Sequence, residues 1–439
     1  MRVTPDILVV GGGPAGVAAA CDIAEANLSV ILIDQAPKLG GVLFRNFGDN
    51  SRRLLPSDLA DTWRNLSGRL TAQAARIRTE LQTVFIGMDA AGVVALNNRA
   101  SGKAYTLAPR AIVVATGAIE YVEPLPGWHL PKVMTAGGLQ VAVKESGTPP
   151  PGDILLAGSG PLLLAAAAQL VKLGRPPVAV IEAANPPRHA FAALALPLSY
   201  LREGGSYLTA MARAGVPWLR GARLEEIHKD GGAFSVVVRR RDKLHRYRAD
   251  IIALHNGLRP NNIGLPRQNL NPQKGPVVIY AGDCNEALGG RAAALSGSSA
   301  AHRLLLALGV KPATEPCRAA ADIEKYRKFQ KLLAEVFKAC PSAEYHLPPD
   351  ETILCRCEQQ TVGDLSIFSA RSSLSAREVK LNGRFGLGRC QGRFCAEKTR
   401  GLLLMTHRDA PTVDALIGQR WPVKPIPIKD LADLDHEES

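Results

Sequence analysis

The sequence lacks any segment suited to cross a membrane, since its 439 residues contain no run of about 18 consecutive apolar residues. The first residues, MRVTPDILVVGGGPAGVAAA, carry no basic leader, and glycines interrupt their apolar run. Cysteine is also scarce, because eight in a chain of this length are too few for the disulfide framework of a secreted protein. We therefore expect a cytoplasmic protein.

The sequence also lacks the residue patterns that would predict catalysis by its own side chains. Its nine histidines are scattered, and no Ser/His/Asp arrangement, carboxylate pair or histidine-rich metal box is visible. No C-x-x-C pair occurs, so thiol–disulfide exchange is not expected. Cys21, Cys284, Cys317 and Cys340 are isolated and are interpreted as packing residues. No catalytic residue is identified in this chain.

The length and composition predict a soluble globular protein with two or three domains, since 46% of the residues are hydrophobic and 21% are charged. The excess of 53 basic over 40 acidic residues is compatible with nucleic acid, an anionic membrane surface, or anionic cofactors and partners. The densest basic run, VVVRRRDKLHRYRAD at 236–250, alternates about a short turn. That pattern favours a solvated strand pair over a docking face, so no nucleic-acid partner is expected.

The N-terminal segment has the pattern of a dinucleotide-binding βαβ unit. A short apolar strand, Ile7–Val10, leads into a G-x-G-x-x-G sequence, an alanine-rich helix and a second strand that ends at Asp34. In this pattern Gly11 allows the tight turn, Gly13 lets a pyrophosphate approach the backbone, and Gly16 lets helix and strand pack closely. Asp34 stands where a carboxylate accepts hydrogen bonds from an adenosine ribose, which favours FAD or NAD over NADP.

Three further segments, KLGGVLF, AIVVATGA and VVIYAGDCNEALGG, favour FAD. With them the chain resembles the flavoproteins with two dinucleotide-binding domains, the broad family of thioredoxin and glutathione reductases. The FAD site is expected to comprise Gly11, Gly13, Pro14, Ala15, Gly16, Asp34, Gln35, Gly40, Gly41, Val84, Ala115, Thr116, Gly117, Gly282 and Asp283. Paired glycines permit close approach to the diphosphate, and Asp283 can accept from a ribityl hydroxyl. A redox role for the neighbouring Cys284 is the weaker alternative to a buried thiol.

From about residue 149 the chain repeats the order of strand, glycine turn, apolar helix, strand and acidic end. Gly158 and Gly160 match the first two glycines and Glu182 matches Asp34, but Leu163 occupies the third glycine position. We expect Leu163 to push the helix away from the strand and to weaken a pyrophosphate site. This copy would then hold a second nucleotide, NAD or ATP, or keep the fold without one. Glu182 would repel the 2′-phosphate of NADPH.

The predicted fold class is α/β, with two Rossmann-like dinucleotide-binding domains and a small C-terminal domain. The strand in ADIIALHNGLRPN would close the second domain, and VVIYAGD would return the chain to the first. The predicted boundaries are 1–120 with 275–312 for a discontinuous FAD domain, 121–274 for the NAD-like domain, 313–347 for a helical linker, 348–405 for the C-terminal domain and 406–439 for a tail.

Four cysteines cluster near the C-terminus as C-x-C, thirty-two residues, and C-x4-C. They are Cys355, Cys357, Cys390 and Cys395. A reducing compartment argues against disulfides. The short C-x-C spacing leaves little room for a zinc knuckle, so an iron–sulfur cluster is favoured over zinc without excluding it. The glycine-rich sequence GRFGLGRCQGRFC also offers backbone amides and arginines that would offset a negative cluster.

LCRCE and RFGLGRCQGRFC together resemble the bacterioferritin-associated-ferredoxin-like (BFD-like) [2Fe-2S] domain at the C-terminus of one flavoprotein family. These are α subunits of dye-linked, hetero-oligomeric amino acid and opine dehydrogenases: the α subunits of D-hydroxyproline and L-proline dehydrogenases, and the corresponding subunits of opine oxidase and hydrogen cyanide synthase. The resemblance covers nearly the whole chain and includes GSGPLLL, with the leucine at position 163. It implies that the four cysteines ligate a [2Fe-2S] cluster.

The resemblance further implies an FAD-dependent oxidoreductase subunit that transfers electrons. A β subunit resembling D-amino-acid or glycine oxidases would oxidise the substrate C–N bond, with a small ferredoxin-like γ subunit as a further partner. A respiratory quinone or a protein would accept the electrons. The alternatives are a self-sufficient NAD(P)H-dependent FAD/[2Fe-2S] oxidoreductase, and a structural flavoprotein that carries a zinc-bound interaction module.

Overall fold

The computed structural model describes residues 6–45, 55–313, 317–340, 347–370, 374–406, 409–418 and 421–432. The chain forms two compact units, each assembled from separate stretches. Unit 1 consists of Met1–Ile119, Arg259–Arg327 and Gly418–Ser439, and unit 2 of Glu120–Leu258 and Lys328–Ile417. Within the described ranges, no helix combines the length and the apolar character needed to span a bilayer.

A five-stranded parallel sheet forms the centre of unit 1. Its strands are β1 (Ile7–Val10), β2 (Val30–Ile33), β3 (Ile77–Glu80), β7 (Ala111–Val114) and β18 (Val277–Tyr280), in the order β18-β7-β1-β2-β3. Four of these strands are continuous apolar runs, as is usual for a parallel sheet covered on both faces. In the central register Val10 lies opposite Ile33 on one side and Val114 on the other, so all three strands end at the same edge.

Helices and a small antiparallel sheet complete unit 1. They are α1 (Pro14–Glu25), α2 (Ser57–Ala72), α7 (Gly290–Ala307), α13 (Ile428–Ala432), β4 (Thr83–Met88), β5 (Val94–Asn98) and β6 (Lys103–Leu107). Helices α1 and α7 cross with their backbones in contact, since a Cβ at Gly297 would lie 2.1 Å from the carbonyl oxygen of Ala15. This close crossing fixes the start of α1, where the first glycine turn ends.

A second five-stranded parallel sheet forms the centre of unit 2. Its strands are β9 (Val133–Thr135), β10 (Ile154–Gly158), β11 (Ala179–Glu182), β12 (Trp218–Arg220) and β16 (Ile251–His255), in the order β12-β11-β10-β16-β9. The flanking helices are α3 (Ala136–Ser146), α4 (Pro161–Lys172), α5 (Ala190–Leu194) and α6 (Leu198–Arg213). The predicted βαβ repeat is therefore confirmed as a repeat of structure.

The basic run at 236–250 lies in an antiparallel three-stranded sheet of unit 2, formed by β13 (Ala222–Asp230), β14 (Ala233–Arg240) and β15 (Lys243–Ala249). Strands β14 and β15 pair from Arg240 opposite Lys243 back to Phe234 opposite Ala249. The predicted strand pair is confirmed. Most side chains of β15 are exposed or half-buried.

A small module at the C-terminal end of unit 2 contains the clustered cysteines. Its elements are β19 (Ile353–Cys355), β20 (Gln360–Thr361), α9 (Val362–Ser369), α10 (Ala376–Leu381), α11 (Ala396–Thr406) and α12 (Val413–Ile417). Two capping boxes, Thr361 with Asp364 and Ser375 with Glu378, define the starts of α9 and α10. Because the module is small and its apolar core is limited, these caps help to fix where the two helices begin.

The chain passes between the units in β8 (Ala118–Glu120), β17 (Leu258–Pro260) and α8 (Cys317–Val336). Helix α8 spans most of the predicted helical linker. The predicted tail at 406–439 is divided: α12 lies in unit 2, whereas the residues from Gly418 onward lie in unit 1. The chain therefore returns to unit 1 after the cysteine module.

Candidate functional site

The first glycine turn lies at the carboxyl edge of the unit 1 sheet, where it connects β1 to α1. Gly11 has φ +113°, and a Cβ there would be 2.3 Å from the carbonyl oxygen of Ala115. A Cβ at Gly16 would be 1.8 Å from the carbonyl oxygen of Gly11. Helix α1 begins at Pro14 with Gly13 as its N-cap, and no side chain caps it. The turn thus leaves the helix N-terminus open to an anionic group.

Asp34 lies beside this turn and already makes two backbone hydrogen bonds. Its carboxylate accepts from the amides of Gly12 and Ala36, both at 2.7 Å, and the residue is buried. Each carboxylate oxygen keeps a lone pair for a further donor. The next residue, Gln35, is exposed, and its side-chain oxygen accepts a hydrogen bond from Lys424. Asp34 is therefore placed to accept from a ribose hydroxyl next to the glycine turn.

The paired glycines at positions 40 and 41 return the chain to the same turn. The amide of Gly40 donates to the carbonyl of Gly12 at 2.8 Å, and Gly41 has φ +60°. A Cβ at Gly41 would lie 3.2 Å from the Cα of Gly13. Two backbone segments without side chains therefore border one groove, which a diphosphate can enter.

Ala115, Thr116 and Gly117 follow β7 and are fixed by Asn261. The Thr116 hydroxyl donates to the Asn261 carbonyl at 2.6 Å, and the Asn261 side-chain amide donates to the Thr116 carbonyl at 3.1 Å. Gly117 has φ +74°, and a Cβ there would meet nothing within 4 Å. The sequence reasoning did not identify Asn261, although it stands in the RPNN sequence after the last strand of the second domain.

Asp283 follows β18 and accepts hydrogen bonds from the amides of Leu288 and Gly289, at 3.0 and 2.9 Å. Burial raises the pKa of Asp283 above its ordinary value, although these two amides lower it. Gly282 has φ +72°, and a Cβ there would lie 2.7 Å from the Cβ of Ala15. The carboxylate is thus held within the same unit as the first glycine turn, with one oxygen, Oδ2, not used by these amides.

Cys284 and Val84 occupy buried positions in unit 1. The Cys284 thiol is fully buried, donates to the carbonyls of Val114 and Ala281 at 3.0 and 3.1 Å, and has a pKa raised by burial. A buried protonated thiol of this kind is a packing residue. Val84 is buried in β4 and is paired with Asn97 of β5.

The second glycine turn has a similar backbone and a different third position. Gly158 has φ +139°, Gly160 has φ +125°, and α4 begins at Pro161. Leu163, in place of the third glycine, is fully buried and packs against residues of α3, among them Leu139 and Val143. The leucine is therefore part of the hydrophobic core between α3 and α4.

Glu182 takes the position of Asp34 but lies deeper. It is fully buried and accepts from the amides of Ala184 at 3.0 Å and Gly160 at 3.3 Å. Burial raises the pKa of Glu182 to about 7, although the hydrogen bonds that its carboxylate accepts act in the opposite direction. The carboxylate thus bonds to an amide of its own glycine turn and is protonated in part of the molecules at neutral pH.

A buried His255–Glu120 pair lies beside this second turn, and the sequence reasoning missed it. His255 Nδ1 lies 2.8 Å from a carboxylate oxygen of Glu120, and the other oxygen accepts from the Gly137 amide at the start of α3. Burial would raise the pKa of Glu120, but the bonds from His255 and its other partners lower it. The available signal was the sequence HNG, in which His255 ends the strand beside the second glycine turn.

The four clustered cysteines meet as two pairs. The thiol of Cys355 interacts with that of Cys395, and the thiol of Cys357 interacts with that of Cys390. In the described part of the chain, no group of three or more His, Cys, Asp or Glu side chains is arranged to hold one metal ion. A [2Fe-2S] cluster is held by four cysteine thiolates, and these four residues supply that number. The donor set therefore fits a two-iron cluster.

The two pairs favour ionisation of one thiol before its partner. The neighbouring Cys395 thiol lowers the pKa of Cys355, and Cys355 in turn raises the pKa of Cys395 well above its ordinary value. Burial raises the pKa of Cys357. A Cβ at Gly388 would lie 2.2 Å from the Cβ of Cys357, so only glycine fits the backbone there.

The loop that carries Cys355 and Cys357 is held against Trp128 within unit 2. The indole Nε1 of Trp128 donates to the Ile353 carbonyl at 2.5 Å, and the Arg356 guanidinium lies over the indole ring, 5.0 Å from its centre. Trp128 is almost fully buried. Arg356 interacts electrostatically with the thiols of Cys357 and Cys390. A cation stacked on an aromatic ring therefore faces the cysteine site.

Comparison with known proteins identifies a matching family model, similar sequences and a similar fold. Residues 5–279 match the family model described as pyridine nucleotide-disulphide oxidoreductase. The A subunit of opine oxidase from Rhizobium meliloti (strain 1021) is 32% identical, and the HcnB subunit of hydrogen cyanide synthase from Pseudomonas aeruginosa is 29% identical. Each match covers 98% of this chain. The matches cover 98% of the opine oxidase subunit and 99% of the HcnB subunit. L-proline dehydrogenase from P. horikoshii shares the fold, with a TM-score of 0.65 at 17% identity over 98% of this chain and 79% of that one.

Proposed function

Because this chain belongs to the FAD-dependent pyridine nucleotide-disulphide oxidoreductase family, we propose that it is the electron-transfer subunit of a hetero-oligomeric dehydrogenase. It accepts electrons from another protein of the complex and delivers them singly through a [2Fe-2S] cluster. The opine oxidase and hydrogen cyanide synthase relatives are themselves subunits of larger enzymes. The observation that carries the proposal is the presence, in one chain, of a complete first glycine turn and of two cysteine pairs.

The flavin part of the proposal rests on the residues around the first glycine turn. Gly11, Gly13 and Gly16 leave a groove without side chains in front of α1, and Asp34 is positioned for the ribose. Asp283 would accept from the ribityl chain. FAD exchanges electrons in pairs or singly, and this property suits a protein between a two-electron reaction and a one-electron carrier.

The cluster part of the proposal rests on Cys355 with Cys395 and Cys357 with Cys390. The four cysteines would hold the two irons as thiolates. The charge of Arg356, held by Trp128, would favour the more negative, reduced state of the cluster. In the competing zinc-bound interaction module, the same four thiols would bind a metal that carries no electrons.

Substrate oxidation is assigned to the partner. We propose a β subunit resembling D-amino-acid or glycine oxidases, which oxidises a C–N bond of an amino acid, imino acid or opine, and a small ferredoxin-like γ subunit. A respiratory quinone or a protein is the proposed acceptor. The complex is proposed to be cytoplasmic or peripheral to the inner membrane.

The rival function is a self-sufficient NAD(P)H-dependent oxidoreductase that uses the second glycine turn. Leu163 in the third position and the buried Glu182 both weaken the case for NAD(P)H at this turn. NAD or ATP as a bound second nucleotide, contacted by Gly158, Gly160 and Glu182, is the part of the proposal with the least support. It is not required for electron transfer.

Metal and sulfide analysis of the chain purified without oxygen tests the cluster. We expect about two irons and two acid-labile sulfides per chain. Cys357→Ser should remove the iron and leave the FAD content unchanged, whereas Cys340→Ser, at a cysteine outside the cluster, should change neither. Zinc in place of iron would favour the interaction module.

Omission of this chain from the complex tests the division of labour. The partner alone should bind substrate but fail to reduce the complex's acceptor. Full turnover by the partner alone with that acceptor would contradict the proposed role.

A further inference from the structure

Residues 421–432, which we name the C-terminal strap, lie in unit 1 although they follow the cysteine module in the sequence. The strap has little regular structure, since its one helix, α13, covers only Ile428–Ala432. It is nevertheless attached to unit 1 by backbone, side-chain and apolar contacts. These contacts fall on elements that also form the flavin site.

The strap follows strand β4 of the small antiparallel sheet. The amide of Val423 donates to the carbonyl of Ile86 at 2.6 Å. The indole of Trp421 lies against Gly87, where a Cβ would be 2.3 Å from the indole Cδ1. A side chain at position 87 would therefore displace the strap. The strand contacted here also carries Val84, a residue of the expected FAD site.

The strap also covers the outer face of the same sheet. Ile86, Ala95 and Ala104 form a buried apolar cluster on that face, and the strap residues Ile426 and Leu431 pack against it. Each strand of the sheet points alternate side chains to its two faces, so this cluster is separate from Phe85, Val94 and Leu96, which pack in another cluster. Undocking of the strap would expose this cluster to water.

A buried polar contact fixes the strap at its far end. The side-chain amide of Asn97 donates to the Asp430 carboxylate at 2.9 Å, and both residues are almost fully buried. If the strap undocked, both groups would have to form hydrogen bonds with water instead. The contact therefore holds α13 in one position on the sheet.

Two strap residues connect directly to the flavin site. Val423 is buried in the apolar cluster that contains Val10 and Ile33, the residues that immediately precede Gly11 and Asp34. Lys424 donates to the side-chain oxygen of Gln35, the neighbour of Asp34. The strap thus supports both strand ends that position the ribose and diphosphate groups.

We propose that docking of the C-terminal strap and binding of FAD are coupled, with the strap holding β4 and the Asp34–Gln35 turn in the conformation that binds the adenosine half. The inference rests on the assignment of FAD to the first glycine turn. Because coupling is reciprocal, FAD must stabilise the docked strap by the same factor by which the docked strap tightens FAD.

Hydrogen exchange of the full-length protein, with and without FAD, tests this coupling. Peptides that cover residues 421–432 should exchange roughly tenfold more slowly when FAD is bound. A peptide from β15 in unit 2 serves as the reference and should not change. A protein that binds FAD with equal exchange in the strap overturns the inference alone. A protein that binds no FAD overturns the FAD assignment as well.

Two lysines of the strap provide a matched pair of variants. Lys424→Ala removes the contact to Gln35 and should raise the FAD dissociation constant roughly three- to tenfold. Lys429→Ala removes an exposed lysine on α13 and should leave it unchanged. Equal dissociation constants in the two variants would overturn the role of Lys424. Its role would also be overturned if Lys424→Ala lowered the melting temperature by the same amount in the apo-protein and in the FAD-bound protein. The variant would then affect folding alone.

Discussion

The two βαβ copies of this chain have the same strand register and different chemistry. In both, a glycine turn leads from the central strand into a helix, and an acidic residue ends the next strand. The first copy keeps Gly16 against the Gly11 carbonyl, whereas the second has Leu163 in a hydrophobic core. The same backbone arrangement thus forms the expected FAD site in unit 1 and contributes Leu163 to a hydrophobic core in unit 2.

The largest expected effect on FAD affinity comes from adding a side chain at Gly16, in the first glycine turn. In Gly16→Ala the new Cβ would lie 1.8 Å from the Gly11 carbonyl oxygen, so the helix must move away from the turn. We expect FAD affinity to fall by about 100-fold or more, as titration of the apo-protein would measure. Gly68→Ala is the control, because a Cβ at Gly68 in α2 meets nothing within 4 Å. Tight FAD binding by the Gly16→Ala protein would contradict the role given to this glycine.

Removal of the Leu163 side chain from the third position of the second copy should lower stability and should not create a nucleotide site. Leu163→Ala removes a fully buried side chain and should lower the free energy of unfolding by about 2 to 5 kcal/mol. Denaturant unfolding measures this loss. Leu198→Ala, at a mostly exposed leucine of α6, should change it by less than about 0.5 kcal/mol. If Leu163→Ala gained NADH binding and lost no stability, the packing role would be wrong.

A further effect, which depends on pH, is expected at the acidic position of the second copy. The pKa of Glu182 is raised from 4.5 to about 7 in the folded protein, so the folded state keeps a proton that the unfolded state loses. Stability should therefore fall as pH rises from 4.5 to 7, by on the order of 3 kcal/mol. Glu182→Gln should remove that part of the decline.

Unfolding curves at pH 5 and pH 8 measure this effect. Glu351→Gln, which changes an exposed carboxyl of the same unit, serves as the control and should keep the wild-type decline. An unchanged decline in Glu182→Gln would mean that this carboxyl does not carry the buried proton.

The first copy could be predicted from sequence because its signals are local. The glycine spacing, the apolar strands and Asp34 all lie within about thirty residues, and the structure places them around one turn. The consequence of Leu163 was harder to predict, since the sequence shows that the glycine is missing but not that α3 supplies a core for the leucine.

Other features depend on contacts that no local pattern records. His255 and Glu120 are 135 positions apart, and Asn97 and Asp430 are 333 apart. The C-terminal strap lies within the segment predicted as a tail, 406–439, and no local pattern marked its contacts with unit 1. The sequence also named the four cysteines without indicating that Cys355 meets Cys395 and Cys357 meets Cys390.

The most direct test of the account is rapid mixing of the isolated, FAD-loaded chain with NADH in the absence of oxygen. We propose that electrons enter from a partner protein and that the second copy does not oxidise NADH. The flavin absorbance should therefore stay unchanged on the timescale of turnover of the complete complex. Rapid bleaching of the flavin by NADH would contradict this assignment and would make the chain a self-sufficient reductase.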